Sequence, residues 1–307
     1  MAGMLFASSP TTSVFASDET SSYFFSEEDS YFPEEEIRFR IQLMRSPISP
    51  VYDKDVAAYL RSYLTHGAKE TEKMLGRSSQ VFPVFEHYLA AYGLPQQLKF
   101  LPVVESFLTP ESVSTKGAAG LWQFMPGTAR HLGLTVDQYI DERHDVYKAT
   151  EAAVKYLRQL YQRFGDWELA LAAYNCGPSR VRQAINQAGS SSFQKIKHLL
   201  PLQTQRYLAR FLAASYTATF FELHGLVPEP ADLSKMDAMA LRVYEAIDIG
   251  NVARITGLQA SHLRRLNPAF KRDLLPASKS GTFLVLPKTS WYVYLEAIHR
   301  GGKTPKP

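Results

Sequence analysis

Residues 104–126 of the chain read VESFLTPESVSTKGAAGLWQFMP and place the carboxylate of Glu105 just ahead of a Ser-, Thr- and Gly-rich loop. A carboxylate among apolar side chains is costly unless its pKa rises or it is well bonded. The apolar neighbours are Phe100, Leu101, Val103, Val104, Phe107 and Leu108. Such a Glu can stay protonated near neutral pH and act as a general acid. For a lone Glu, a solvated position at a helix end is the commoner alternative, so the rest of the chain has to decide.

The composition describes a folded protein with a basic body. The chain has 307 residues with 45% hydrophobic and 12% aromatic content, enough for two domains. Residues 1–36 hold eight acidic residues and no Lys or Arg, so the remainder carries 34 − 22 = +12. A basic body suits nucleic acid, an anionic lipid surface or a cell-wall polymer. Basic and aromatic residues are not interleaved as in nucleic-acid motifs, so we expect no nucleic-acid partner.

Cysteine, histidine and the start of the chain give few signals. Cys176 is the single cysteine, so no intrachain disulfide can form. The histidines at 131, 144, 198 and 224 lack metal-ligand spacing, and we expect no metal and no cofactor. The first 17 residues lack a basic segment, which leaves an export signal and a trimmed start both open. No apolar run approaches the length of a membrane-spanning helix.

The pattern along the chain predicts three parts. Residues 1–50 are expected to form an irregular leader, 51–226 an all-helical domain, and 238–290 a small β-α-α-β module after a proline-bearing linker. Helical spacing begins after Asp53, a predicted cap. Further helices are predicted over 83–92, 97–106, 126–132, 149–164, 167–174, 181–187 and 204–223. The module should have strands at 241–244 and 282–286 around helices at 249–257 and 260–266. The fold class is therefore mainly α.

Four short segments occur in a specific order. They are Glu105-Ser106, the loop GLWQFMP at 120–126, Ala173-Tyr174-Asn175, and the LPxxTxxY pattern of Leu200, Pro201, Thr204 and Tyr207. With their flanks, over roughly residues 55–222, they resemble the lytic murein transglycosylases with a goose-lysozyme-like fold, particularly the membrane-bound D-type subgroup. The resemblance implies a lysozyme-like catalytic domain that cleaves the bond between N-acetylmuramic acid and N-acetylglucosamine in peptidoglycan. It also implies a 1,6-anhydro product.

The chemistry explains why one carboxylate can suffice. Glycosidases ordinarily use two, but substrate-assisted enzymes are an exception. Here the N-acetyl group of the substrate would stabilise the cationic centre, while Glu105 serves first as acid and then as base. The expected partners are peptidoglycan glycan strands and proteins of the cell-wall machinery, in the periplasm or cell envelope. Two alternatives stay open: a goose-type muramidase that admits water, and an inactive scaffold that binds peptidoglycan.

The resemblance assigns a sugar cleft by motif position. Its predicted residues are Ser114, Gln123, Met125, Tyr174, Asn175, Gln203 and Tyr207. Ser114 and Gln123 would bond acetamido and hydroxyl groups. Tyr174 would hold the Glu105 carboxyl or the acetamido group, and Tyr207 would supply a hydroxyl and a ring face. For Met125, Trp122 and Tyr207 a place in the core is the alternative.

Two positions depart from the family pattern. Gln203 stands where the family usually has Glu; the amide keeps the size and hydrogen bonding but loses the charge, so we expect the polarity of the cleft or the tuning of its pKa values to differ. Cys176 stands where the family has a small residue, and we expect it to be tolerated. Arg143 and Asp145 fit a structural salt bridge at a helix start better than a catalytic role.

The C-terminal part resembles a divergent LysM module. The matching pieces are VARITGLQASHLRRLNP at 252–268 and TFLVLPK at 282–288. EAIDIG at 245–250 replaces the usual GDTL turn. Glycan binding and simple packing on the helical domain are therefore both open for this module.

Overall fold

The computed structural model describes residues 33–230 and 238–299. Eleven α-helices occupy the first of these ranges: α1 Glu34–Leu43, α2 Lys54–Arg61, α3 Ala68–Ala91, α4 Leu101–Ser106, α5 Pro126–His131, α6 Val146–Phe164, α7 Trp167–Cys176, α8 Pro178–Ala188, α9 Phe193–Ile196, α10 Leu202–Gln205 and α11 Tyr207–Phe220. Shorter helical turns cover Ser62–His66, Gln96–Phe100, Glu142–His144, Lys197–Leu199 and Phe221–His224. The mainly α fold predicted from the sequence is confirmed. None of the helices in the described ranges is both long and apolar enough to cross a lipid bilayer.

Local sequence signals set the helix ends. The Asp53 side chain accepts a hydrogen bond from the Val56 amide at 2.9 Å and caps α2, as predicted. Asp166 caps α7 in the same way. Gly165 ends α6 with a φ of 68°, a conformation that costs glycine little.

The core of the helical domain lies around α7 and α11. All residues from Leu169 to Ala173 are buried, as are those from Tyr207 to Ala209 and from Phe211 to Thr217. Helix α11 packs against α2, α4 and α7, so it lies directly beside the short helix that carries Glu105. Burial of this apolar surface fixes the end of α4 relative to α7 and α11.

The predicted irregular leader is wrong over part of its length. Residues 34–43 form α1, whose Ile37 and Ile41 are fully buried in the core of the helical domain. Three glutamates in its first turn favour a helix start, and the two isoleucines lie on one face. The remainder of the leader up to residue 32, with the possible export signal, lies outside the described residues.

Two predicted helix bounds also need correction. Pro83 does not start a helix but lies inside α3, which keeps one buried face through Val81, Phe85 and Leu89. The helix predicted over 204–223 divides at Arg206, between α10 and α11.

The C-terminal module has the predicted β-α-α-β order. Strand β1, Ala238–Val243, pairs antiparallel with β4, Thr282–Pro287, and helices α12 Ile249–Thr256 and α13 Ala260–Leu266 lie between them in the chain. A two-residue pair, β2 Ile247–Asp248 with β3 Leu274–Leu275, and a final helix, α14 Lys288–His299, were not predicted. The module has its own core of Ile249, Val252, Leu263, Leu284 and Leu286, among others.

The module packs on the helical domain. The amide of Asp141 donates to the Ala269 carbonyl at 2.8 Å, and the Lys271 amide donates to the Tyr139 carbonyl at 2.9 Å. The ammonium of Lys148 donates to the Gly281 carbonyl at 2.5 Å. Packing was one of the two roles left open for the module, and it does not exclude the other.

Candidate active site

Glu105 lies in the last turn of α4, with buried residues on both sides of it in the helix. Burial raises the pKa of its carboxyl above the usual value for Glu. Two groups act against that shift: the Tyr207 hydroxyl donates a hydrogen bond to Glu105 Oε1, and the positive charge of Arg210 favours the carboxylate. A raised pKa keeps this carboxyl protonated to higher pH than a solvated one, as a general acid requires.

The backbone leaves α4 through an unusual turn. Phe107 and Leu108 have φ values of 52° and 58°, in the left-handed region that non-glycine residues rarely adopt. Each such residue costs on the order of 1–3 kcal/mol. The Arg77 guanidinium offsets this cost by donating two hydrogen bonds to the Phe107 carbonyl, at 3.1 and 2.9 Å, and Leu108 is fully buried. The strained turn therefore comes directly after the turn of α4 that carries Glu105, whose carboxyl has a raised pKa.

The loop after α4 is held against the segment before α6. Gly120 has a φ of 80°, and a Cβ at this position would lie 1.7 Å from the Arg143 carbonyl oxygen, so only glycine fits. The Arg143 guanidinium donates to the carbonyls of Gly117 at 2.7 Å and Phe124 at 3.0 Å. Its ion pair is with Asp141, at 2.7 Å. The structural role predicted for this arginine is confirmed, and the loop is fixed in shape.

The predicted pairing of Arg143 with Asp145 was wrong. Asp145 instead caps α6, where it accepts hydrogen bonds from the amides of Tyr147 and Lys148, both at 2.9 Å. Burial raises the pKa of Asp145 to about 7.

The predicted loop residues Ser114 and Gln123 bond to their own loop. Ser114 Oγ accepts from the Ala118 amide at 3.0 Å, and Gln123 Nε2 donates to the Gly120 carbonyl at 2.9 Å. Gln123 has a φ of 48°, so it is a third left-handed non-glycine residue after Phe107 and Leu108. These contacts shape the loop, and sugar contacts by the two side chains stay predictions.

Met125 and Trp122 differ in their exposure to solvent. Trp122 is fully buried and donates its indole N–H to Thr150 Oγ1 at 3.0 Å, which makes it a core residue. Met125 is 44% exposed, which excludes the core alternative for it. Its side chain is thus available to a ligand.

The contact with Glu105 that was predicted for Tyr174 is made by Tyr207. The hydroxyl that contacts the Glu105 carboxyl belongs to Tyr207, whereas the Tyr174 hydroxyl donates to the Trp122 carbonyl at 2.7 Å. Tyr207 is only 1% exposed, so the prediction that it offers a ring face to sugar was wrong. Burial and the nearby Glu105 raise the pKa of both phenols well above the ordinary value. A contact between Tyr174 and an acetamido group stays a prediction.

The remaining predicted residues lie where α7 meets α10. Asn175 Oδ1 accepts a hydrogen bond from Thr204 Oγ1 at 2.8 Å, which ties the two helices together. Gln203 is exposed on α10. Burial raises the pKa of the Cys176 thiol, which disfavours its reactive thiolate form.

Sequence reasoning missed two arginines that bond the backbone on either side of Glu105. Arg210 donates to the Val104 carbonyl at 3.1 Å, and Arg77 binds the Phe107 carbonyl as described above. One signal was available for Arg210, because it follows Tyr207 by three residues and so lies on the same face of a helix.

Comparison with known families gives two matches. The Transglycosylase SLT domain matches residues 83–197, and the family described as Lytic transglycosylase MltD, LysM-like domain, matches residues 239–294. These matches confirm the resemblance found in the sequence for both the helical domain and the C-terminal module.

Individual relatives agree with the families. The membrane-bound lytic murein transglycosylase D of Escherichia coli (strain K12) is 34% identical over 199 residues, 64% of this chain and 44% of that protein. A putative tributyltin chloride resistance protein of Alteromonas sp. (strain M-1) is 32% identical over 145 residues, 46% of this chain and 70% of its own length. The chain thus spans less than half of the Escherichia coli protein.

A solved structure is also similar. The 70 kDa soluble lytic transglycosylase from Escherichia coli has a TM-score of 0.39 and 26% identity, with 50% of this chain and 26% of that chain covered.

Proposed function

This chain belongs to the SLT-domain lytic transglycosylases, and on that premise we propose that it cleaves the N-acetylmuramic acid to N-acetylglucosamine bond of peptidoglycan. The proposal includes a 1,6-anhydro product and Glu105 as the single acid and base. The observation that carries it is the partly buried carboxyl of Glu105, whose pKa is raised by its surroundings and whose Oε1 accepts a hydrogen bond from the Tyr207 hydroxyl.

In the first step, Glu105 acts as the acid. Because Oε1 accepts the hydrogen bond from Tyr207, Oε2 is the oxygen that carries the proton to the glycosidic oxygen. The bond between that oxygen and C1 of the muramic sugar breaks, and N-acetylglucosamine leaves with the proton. The N-acetyl group of the muramic sugar stabilises the positive charge at C1.

In the second step, Glu105 acts as the base. Its carboxylate takes the proton of the C6 hydroxyl, and the C6 oxygen forms a bond to C1, which closes the 1,6-anhydro ring without water. The Tyr207 hydroxyl and the charge of Arg210 stabilise the carboxylate between the two steps, while burial favours return of the proton. The opposing effects suit a group that gives up one proton and takes back another.

Substrate contacts would come from both parts of the chain. We propose that Ser114, Gln123, Met125, Asn175 and Gln203 line the sugar cleft, which the exposure of Met125 and Gln203 supports. The LysM-like match supports a glycan contact by the C-terminal module. Because peptidoglycan is the proposed substrate, we propose that the protein acts in the cell envelope, with cell-wall proteins as partners.

The test is digestion of purified peptidoglycan by the wild type and by Glu105→Gln, with the products read by mass spectrometry. We expect anhydro ends from the wild type and none from the variant, whose folding is checked by its thermal unfolding curve. Reducing ends would instead indicate a hydrolytic muramidase. Full turnover by Glu105→Gln would refute the assignment of the acid.

A further inference from the structure

Helix α11 directs two side chains at the end of α4. Tyr207 and Arg210 are three residues apart on α11, which places them on one face. The first binds the Glu105 carboxyl, and the second binds the carbonyl of Val104, the preceding residue, at 3.1 Å. One helix therefore contacts both the side chain and the backbone of the acid's own turn.

The Val104 carbonyl is available to Arg210 because of the strained turn. In a continued helix the Leu108 amide would bond the Val104 carbonyl, four residues back. With Phe107 and Leu108 both left-handed, the Leu108 amide instead bonds the Pro102 carbonyl at 3.3 Å. A carbonyl at a helix C-terminus needs another donor, and a guanidinium is a strong one.

Arg210 is itself held in place. Its guanidinium lies 5.8 Å from the centre of the Tyr59 ring, within range of a cation–π contact. Its charge also acts on the Glu105 carboxyl, which it favours in the ionised form. The other ionisable groups that face Glu105 are the phenols of Tyr207 and Tyr174.

We propose that Arg210 is a positioning residue of the reaction, which holds the last turn of α4 by the Val104 carbonyl and so aims the Glu105 carboxyl at the glycosidic oxygen. This inference rests on the proposed function. Arg210 acts through Glu105 and contacts no reacting atom, so its loss should lower kcat and leave KM nearly unchanged.

Arg77 provides a matched control. It is also an arginine that binds a backbone carbonyl at the same turn, that of Phe107. The carboxylates that act on its charge are Glu70, Glu111 and Glu229, and Glu105 is not among them. Removal of Arg77 should therefore loosen the turn without the electrostatic effect on Glu105.

The experiment measures the pH dependence of anhydro-product release by wild type, Arg210→Met, Arg210→Lys and Arg77→Met. For Arg210→Met we expect kcat to fall about tenfold or more. The alkaline limb of its pH–rate profile should move up by about half a pH unit to one pH unit, because the positive charge that favours the Glu105 carboxylate is lost. Arg210→Lys keeps the positive charge, so its alkaline limb should lie at the same pH as that of the wild type. Arg77→Met should lose rate with no movement of the limb.

Three results would overturn the inference: an unmoved limb in Arg210→Met, an equal movement in Arg77→Met, or a large rise in KM with kcat unchanged. Should Arg210→Met fail to fold in a thermal melt, Arg210→Gln replaces it: its limb should still move up because the charge is lost, and its kcat should fall less because its amide can donate to the Val104 carbonyl. The proposed function fails separately, when the wild type releases no anhydro product or Glu105→Gln retains turnover.

Discussion

Replacing Tyr207 by Phe removes the hydroxyl that donates to Glu105 and leaves the buried ring in place. A hydrogen bond to a charged group contributes about 1.5–3 kcal/mol. One pKa unit corresponds to about 1.4 kcal/mol, so the loss of this bond should raise the pKa of Glu105 by about one to two units. The pKa of Glu105 should rise in this variant because the Tyr207 hydroxyl favours the carboxylate form.

The assay is kcat/KM for release of anhydro product as a function of pH. Its alkaline limb reports the loss of the acid's proton in the free enzyme, so it should move up by about one to two units in Tyr207→Phe. Tyr174→Phe makes the same chemical change at a hydroxyl that bonds the Trp122 carbonyl, and its limb should stay in place. An unmoved limb in Tyr207→Phe, or the same movement in both variants, would refute the reasoning.

Two further predictions concern stability. Burial raises the pKa of Asp145 from 3.8 to about 7, so the folded state binds an extra proton in that range and stability should fall as pH rises from about 4 to 7. Asp145→Asn keeps the cap and should flatten the fall in thermal midpoint with pH, whereas an unchanged slope would contradict the assignment. Lys148→Met removes the cation that binds the buried Glu142 and the Gly281 carbonyl, and we expect a loss of about 3–5 kcal/mol in urea unfolding. Adding Glu142→Gln should restore part of that loss, and a double variant no more stable than the single one would argue against a buried ion pair.

Features set by local sequence were predictable. The Asp53 cap and the β-α-α-β order follow from residues close together in the chain. Glu105 stood out because its own neighbours are apolar. Helix α1 carried similar local signals in its glutamates and isoleucines, but burial of Ile37 and Ile41 depends on a core built from distant helices.

Features set by tertiary contact were not predictable. Tyr174 and Tyr207 both lie in motif segments, and only the packing of α11 against α4 decides which hydroxyl binds Glu105. The left-handed turn at Phe107 and Leu108 contains no glycine, so its sequence gives no sign of it. The arginine that compensates it, Arg77, comes from α3.

The docked position of the C-terminal module has a consequence for the proposed action on a long polymer. Contacts such as those of Lys148 with Gly281 and Lys271 with Tyr139 join the module to the segment that precedes and begins α6. Arg143, in that segment, holds the loop beside Glu105. A glycan strand bound by the module would thus be cleaved at a fixed number of sugars from the bound position. A module on a flexible linker would instead permit any spacing within the reach of the linker.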